Sequence, residues 1–491
     1  MDESSSDWQY QSVANGPINV AAFVLTVVYV FITIISPEQF GEEWATYHAL
    51  TYLGGVIFLF SLSGIFTNVY FRPSRQVFLL LGFIVAMAVS EVANGWLGGV
   101  IVSWRLFLPS SAVFFFIVAN VNTTRRLKIL TLATVASCLV VVVEALCGYY
   151  GGFGGGIFVL NQTLVSQRQV LGEFIRIRGA GFLSDPNDLA QILLIALPLT
   201  FIAWRRGRFV RNSLIVLAPA ALLLWAIYLT HSRGALIALA ILIVMATRKR
   251  MGTTASVLLT TLVILSMLAV NFTGGRLISP DAGADRLALW ASGLQMFKSA
   301  PLFGVGYGKF TDFADISAHN SFVLCLAELG LVGSTFWVAL LVTTMMDLNR
   351  IIGLQEKGQT EPVFAGDVAR EEQVTFFDPV LPSFERRAAT SIATPTAVDV
   401  QTSIGQTFQP PVPTQWVVAM RLALISFIAT GWFLSRTYES TVYLVLGLAT
   451  ATVAVHQYGD ESRARIRWLS YTLAVEAVAI IFIHEIVRLR F

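Results

Sequence analysis

Charge is what this chain has least of: Asp, Glu, Lys and Arg make up 13% of its 491 residues, about half the share in a soluble globular domain. That shortage excludes an ordinary water-soluble globule. The net charge of +3 is too small, and its basic residues too dispersed among short loops, to form a polyanion groove for nucleic acid. Cysteine is scarce as well. Cys138, Cys147 and Cys325 are an odd number, within or at the ends of apolar stretches and without metal-ligand spacing, and read as small core residues. Nucleotide signatures are missing. Gly154, Gly155 and Gly156 lack a following Lys and Ser or Thr, and the GVGYG of residues 304–308 has no strand before it and no βαβ unit around it. No cleavable signal sequence is expected, because Met1 to Ser6 is acidic and the first apolar run is long enough to span a bilayer.

Apolar residues fill the space that charge leaves. They account for 55% of the chain, with a mean hydropathy of +0.69. A spanning helix needs about 20 mainly apolar residues, and such segments recur from Ile18–Ile35 to Trp468–Ile486. The expected fold class is therefore all-α, a polytopic integral membrane protein with about 12 to 13 transmembrane helices. Residues 1–346 form a transmembrane core, 347–415 a polar insertion, and 416–491 the C-terminal transmembrane helices. The insertion is rich in Pro, Thr, Glu and Arg, cannot bury much apolar area, and is expected to be disordered and cytoplasmic.

Lysine and arginine set the orientation, since cationic loops stay on the cytoplasmic side. Alternate loops carry Arg72 and Arg75, Arg125 to Lys128, Arg205 to Arg211, Arg248 to Arg250, and Arg463 to Arg467. The N-terminus is then cytoplasmic, and loops 151–187, 231–233 and 274–319 face outward. Arg488 and Arg490 break the parity, so the last segment is a candidate for lying along the interface instead.

The outward loops hold most of the chemistry. In LTHSRGALIAL, Leu229 to Leu239, three polar residues sit inside an apolar run from Asn212 to Thr247. As one helix that run would be about 54 Å long against ~30 Å of hydrocarbon, so it is read as a hairpin with Gly234 as its corner. The arm after Gly234 spans about 21 Å, slightly short of a crossing, which would sink the turn and place Arg233 in a recess. An arginine there is a functional candidate by default; the alternative is that it reaches lipid phosphate. A second stretch, Asp285 to Leu329, opens with a helical rhythm through Arg286, Leu289, Trp290, Leu294 and Phe297 that Pro301 ends, an amphipathic helix near the outer interface. GVGYG then turns the chain sharply back, and His319 precedes the helix caps Asn320 and Ser321. The third, Arg176 to Gln191, reads RIRGAGFLSDPNDLAQ. Asp185 before Pro186 suits a helix start, and a metal site from Asp185 and Asp188 is the lesser reading. Arg176 and Arg178 are placed to face lipid phosphates or an anionic ligand.

Taken together, THSRGALIAL, RLALW with PLFGVGYG, and AHNSFVLCLAELGLVGSTFW resemble the O-antigen ligase and polymerase superfamily of bacterial envelope glycosyltransferases, in order and topology across Phe182 to Trp337. The resemblance implies a fold similar to lipid-carrier-dependent (GT-C-like) glycosyltransferases. It also implies transfer of a glycan from undecaprenyl pyrophosphate to a hydroxyl, without metal or other cofactor, at the outer face of the bacterial inner membrane. By it Arg233 and Arg286 correspond to pyrophosphate-binding arginines and His319 to the catalytic histidine; Arg178, His231, Ser232 and Asn320, close to them in the outward loops, are supporting candidates. The partners it implies are the lipid-linked donor, a glycan or lipid-linked acceptor, and the bilayer.

The chemistry coheres with these residues. Two guanidinium groups offer paired donors to phosphate oxygens, best in a partly dry recess. A histidine kept neutral by nearby arginines can act as base, and direct attack by the acceptor hydroxyl inverts the anomeric centre. His231 is the rival base, and a carboxylate-metal mechanism through Glu42 and Glu43 the rival chemistry. An acceptor that is another lipid-linked repeat makes the protein a polysaccharide polymerase, the reading favoured here; lipid A core makes it a ligase, and a protein serine an oligosaccharyltransferase. A transporter of lipid-linked sugars is the competing class. It would use polar residues such as Glu91, Asn94 and Glu144 along a path, and often shows repeated halves, of which none is detected.

Overall fold

The computed structural model describes residues 17–36, 49–67, 74–154, 156–166, 169–269, 272, 280–357, 412–456 and 468–489. Every apolar segment read from the sequence is a helix. In chain order they are α1 (Pro17–Ile35), α2 (Ala49–Thr67), α3 (Arg75–Ala93), α4 (Leu97–Asn120), α5 (Thr124–Gly151) and α6 (Pro186–Thr200). After these come α7 (Phe209–Leu229), α8 (Arg233–Met251), α9 (Thr253–Ala269) and the amphipathic α10 (Pro280–Ser299). The last four are α11 (Ser321–Glu356), α12 (Thr414–Gly431), α13 (Ser440–His456) and α14 (Trp468–Arg488). Among the described residues nine helices are long and apolar enough to cross a membrane, with shorter apolar ones beside them. The protein is an all-α polytopic membrane protein.

Burial sorts the helices into an inner and an outer set. In α6 every residue but Asn187 is buried, and α11, α12 and α13 are nearly as enclosed. In contrast α14 presents Leu469, Leu473, Val478, Ile481 and Phe482 outward, as a lipid-facing helix must. Short hydroxyl side chains recur inside the bundle and return their protons to the preceding turn, as Thr26 does to the Ala22 carbonyl at 2.8 Å and Thr131 to that of Leu127 at 2.8 Å. A polar group is thereby satisfied where no water reaches.

Helix α11 is interrupted, and the interruption explains two glycine motifs at once. Gly330 lies at φ 61 and ψ −162 in mid-helix, a conformation essentially confined to glycine. The freed main-chain groups bind the PLFGVGYG loop: Val305 and Gly306 donate to the Ala327 and Glu328 carbonyls at 3.0 Å each, while Leu331 and Val332 donate to Pro301 and Leu302 at 2.9 and 3.1 Å. A Cβ on Gly330 would lie 2.5 Å from the Leu302 carbonyl carbon, and one on Gly304 would collide with the Glu328 backbone. The sharp loop expected from GVGYG is thus also the patch that completes a broken membrane helix.

Several expectations are corrected. Gly234 is not the corner of the 212–247 hairpin. It lies inside α8, and the turn is made by Thr230 to Ser232 with His231 at φ 50. Gly234 instead permits close approach, since a Cβ there would stand 3.0 Å from that of Phe433. The second arm is not short either: α8 continues through Arg248, Lys249 and Arg250 to Met251, because cations at a helix C-terminus suit its dipole. Loop 151–187 contains an antiparallel hairpin, β1 (Val159–Ser166) and β2 (Gln169–Ile177), with a bulge at Leu164 and Val165. The closing helix α14 is long and apolar enough to cross a membrane. It packs along α11, where Glu476 accepts from Ser334 and from Thr335 at 2.7 Å, and its Ile483 joins Trp290 and Leu294 of α10. Helix α11 also runs on through Glu356, ten residues into the segment read as insertion; residues 358–411 of that segment lie outside the described residues, as do Glu42 and Glu43.

Basic loops gather at one end of the bundle. Arg75 pairs with Asp347 at 3.0 Å, Lys249 with Glu356, and Gln415 reaches the Trp204 carbonyl at 3.4 Å. The opposite end holds the turn at His231, the loop before α11 and the β-hairpin.

Candidate active site

Four chain segments meet at that opposite end. Asp185 caps α6, accepting from the Asn187 amide and from its side-chain nitrogen, each at 2.7 Å. Ser232 caps α8 through the Ala235 amide at 3.3 Å, so that Arg233 occupies the first helical position. Asn320 caps α11 by accepting from Phe322 and Val323 at 2.8 and 3.1 Å. Each cap satisfies an orphan amide of its helix start, and each fixes the residue beside it. The fourth segment, between α12 and α13, brings Arg436, whose guanidinium grips both oxygens of Asp188 and reaches Glu439 at 3.0 Å. Asp188 is thus an ion-pair partner rather than a metal ligand.

Between these segments lies a cavity of about 360 Å³. His319, Asp185, Asn187, Tyr307, Glu328, Arg436 and Tyr438 line it. A narrow cleft continues from it past Asn187 and Leu434 to Ser232 and Arg286. Arg233 and Arg286, half-buried, are close enough that Arg233 holds the Arg286 guanidinium below its ordinary pKa, after the larger effect of burial and against the pull of Asp185. Among the described residues neither arginine has an ion-pair partner. His319 lies below the usual imidazole value, first from burial and then from Arg286, with Asp185 opposing and Arg436 adding to the depression. Both His231 and His319 have φ of 50, uncommon for a residue with a Cβ and a conformation that surrounding structure must enforce.

The structure thus brings Arg233, Arg286 and His319 near one another, His319 lining the cavity, Arg286 the adjoining cleft and Arg233 beside Arg286, with Ser232 and Asn320 as the caps that place two of them. It does not bring Arg178 there. That guanidinium binds the carbonyls of Ile157, Gly156 and Ser184 at 2.9, 3.2 and 3.3 Å and pins the loop below the hairpin. Arg176 is buried, donating to the Thr230 carbonyl at 2.6 Å and to Asn187 at 3.1 Å, and so ties the hairpin to the turn that carries Arg233. His231 is walled by Phe174 and Tyr228 and its Nδ1 donates to the Phe272 carbonyl at 2.7 Å; it shapes the turn and does not line the cavity. Glu91 and Asn94, weighed as the lining of a transport path, hold the GVGYG loop instead: Glu91 accepts from Tyr307 at 3.0 Å and Asn94 donates to Gly304 at 2.9 Å. Among the described residues no group of three or more His, Cys, Asp or Glu is placed to hold a metal.

Arg436, Glu328, Tyr307 and Tyr438 escape sequence reasoning. Only Arg436 leaves a trace, as an arginine in a loop that the charge rule assigns to the outside. Glu328 sits in an apolar helix with no neighbouring charge to draw notice.

Residues 218–338 match the family model described as O-antigen ligase. The match spans α7 to the middle of α11, and so includes Arg233, Arg286 and His319. A comparison with curated proteins gives no match.

Proposed function

We propose, from the chain's place in the O-antigen ligase and polymerase superfamily, that it is a metal-independent, inverting glycosyltransferase. Its donor is a glycan on undecaprenyl pyrophosphate, used at the outer face of the bacterial inner membrane. The observation that carries this reading is the pair Arg233 and Arg286: two neighbouring cations without a protein counter-ion among the described residues, beside a histidine held neutral. Like charges brought together in a recess are costly unless an anion is to join them. A pyrophosphate supplies that anion, and paired guanidinium donors match its oxygens.

The transfer needs little else. The acceptor hydroxyl attacks the anomeric carbon from the face opposite the pyrophosphate, and the bond from that carbon to the phosphate oxygen breaks. Its electron pair leaves with the pyrophosphate, whose growing charge the two arginines stabilise, and the hydroxyl proton passes to His319. The acceptor is another lipid-linked repeat, which makes the protein a polysaccharide polymerase: the cavity beside His319, about 360 Å³, has room for a sugar. Purified protein incubated with a lipid-pyrophosphate glycan should release undecaprenyl pyrophosphate and lengthen the glycan, with or without chelator. Movement of the intact lipid-linked glycan across a vesicle membrane, with no release of the carrier, would overturn the assignment in favour of transport.

A further inference from the structure

The position of His319 is set by the chain around it. Ala318, Asn320 and Ser321 are fully buried, and the loop between α12 and α13 grips Ser321, two residues beyond the histidine. The Ser321 hydroxyl donates to the Leu434 carbonyl at 2.6 Å and accepts from the Arg436 amide at 2.9 Å, while the Ser321 carbonyl accepts from the Thr437 hydroxyl at 2.7 Å. The Arg436 side chain reaches α6. It donates through Nε to one oxygen of Asp188 at 2.6 Å, through Nη2 to the other, and through Nη1 to Glu439 at 3.0 Å. One residue therefore joins the first turn of α11 to the first turn of α6.

That turn of α6 is itself tied to the donor side. Asn187, next to Asp188, lines both the cavity that contains His319 and the cleft that contains Arg286. It accepts from the buried Arg176 at 3.1 Å, and Arg176 also donates at 2.6 Å to the carbonyl of Thr230, in the turn that leads to Arg233. A continuous strut thus runs from the arginine pair through Arg176, Asn187, Asp188 and Arg436 to the start of α11.

Asp188 is 3% exposed, and a buried ion pair adds little stability over an apolar contact of the same volume. What it supplies is geometry, because a guanidinium fork on two carboxylate oxygens fixes angle as well as distance. The transfer demands just that. A base must stand within about 2.6–3.2 Å of the hydroxyl it deprotonates, and a displacement of about 1 Å costs about a hundredfold in rate. We propose that Arg436 is a positioning residue, which through its bidentate pair with Asp188 sets His319 at its working distance from the donor arginines. The proposal rests on the transferase reading and adds to it a residue that acts through others.

The test uses the full-length protein in detergent, with carrier release from the undecaprenyl-pyrophosphate-linked glycan of the cells that make it measured against pH, and inorganic pyrophosphate binding measured by calorimetry. Arg436→Lys keeps the charge and loses the fork. Its kcat is expected to fall at least about tenfold, with KM, pyrophosphate binding and the acid limb of kcat/KM close to those of the parent. Arg436→Gln should match that loss and also move the acid limb to higher pH. The His319 pKa is lowered by burial first and then by Arg286, with Asp185 opposing and Arg436 adding to the depression; without Arg436 the carboxylates of Asp188 and Glu439 lose the cation they face, which pulls the same way, while Glu328, Tyr307 and Tyr438 on the cavity wall are unchanged. A residue that only supports the fold would leave that limb in place. Should neither variant fold, Ser321→Ala and Thr437→Val, which each remove one hydroxyl of the same clamp, carry the test, and a fall in kcat of at least about threefold at unchanged KM is expected. A raised KM at unchanged kcat makes Arg436 a substrate contact and overturns the proposal. So does full turnover in Arg436→Lys or in both clamp variants, or an unmoved limb in Arg436→Gln, with carrier release by the parent leaving the transferase reading standing. No carrier release by the parent overturns both.

Discussion

His319 shows how one residue's role depends on neighbours far away in sequence. Its backbone is held left-handed just before the cap at Asn320, and its basicity is set by burial first, then Arg286, with Asp185 opposing and Arg436 adding to the depression. In the proposed mechanism the neutral imidazole is the active form. A pKa below the usual 6.5 keeps it neutral through the neutral range, and activity is lost only as pH falls through that lowered value. The acid limb of kcat/KM is therefore expected below pH 6.5. Asp185→Asn preserves the helix cap but removes the carboxylate that pulls the pKa up, so the limb should move to still lower pH; a pH-rate profile of the variant checks this, and a limb that stays put would exclude His319 as the titrating base. His319→Ala should lower turnover by about 10²- to 10⁴-fold with the protein still folded. For the arginines, Arg233→Lys and Arg286→Lys keep the charge but lose the fork of donors. Each is expected to retain more transfer than the corresponding alanine variant while falling at least about tenfold below the parent, as measured by carrier release.

At the scale of elements, the broken helix α11 and the loop 301–308 behave as one unit. Neither is complete alone: the loop supplies donors and acceptors that the kink at Gly330 leaves open, and in return it is held over Glu328, where Tyr307 enters the cavity wall. Gly330→Ala puts a Cβ against the Leu302 backbone in a conformation only glycine adopts readily. A loss of at least about 2 kcal/mol should appear as a lower thermal midpoint in detergent. An unchanged midpoint would mean that the break is not needed for the fold. Helix α14 plays a quieter part. Clamped on α11 through Glu476, it supports the apolar side of α10 behind Arg286, so a largely exposed helix backs one half of the arginine pair.

The whole molecule is polarised along its axis. One end collects the basic loops and their pairs, Arg75 with Asp347 and Lys249 with Glu356, and the other holds the cavity. With the basic end cytoplasmic, a cysteine at Thr311, exposed at the cavity end, should react with an impermeant maleimide in cells whose outer membrane has been opened. One at Arg206, exposed at the basic end, should react only after lysis. The exposed native Cys147 is replaced by Ser for both measurements. The opposite labelling pattern would turn the protein over and put the transfer reaction on the wrong side for an exported glycan.

Sequence by itself determined the class of fold, the number and order of helices and the caps at Asp185 and Asn320, and it nominated Arg233, Arg286 and His319 as site candidates. Each of these is written in local composition or in a short motif: apolar length selects a helix in lipid, a side-chain oxygen before a helix selects a cap, and a lone cation in an apolar run stands out. Tertiary structure alone decided what depends on distant partners. Arg178 and Arg176 look alike in RIRG, yet one binds loop carbonyls and the other joins the hairpin to the turn at Thr230. His231, read as a rival base, instead makes the turn assigned to Gly234, its ring bonded to the Phe272 carbonyl, while Gly234 lies inside α8 against Phe433. Glu328 became a cavity wall only because a loop closed over a broken helix. Contacts between residues tens to hundreds of positions apart have no local pattern to announce them, and the cavity joins segments separated in this way.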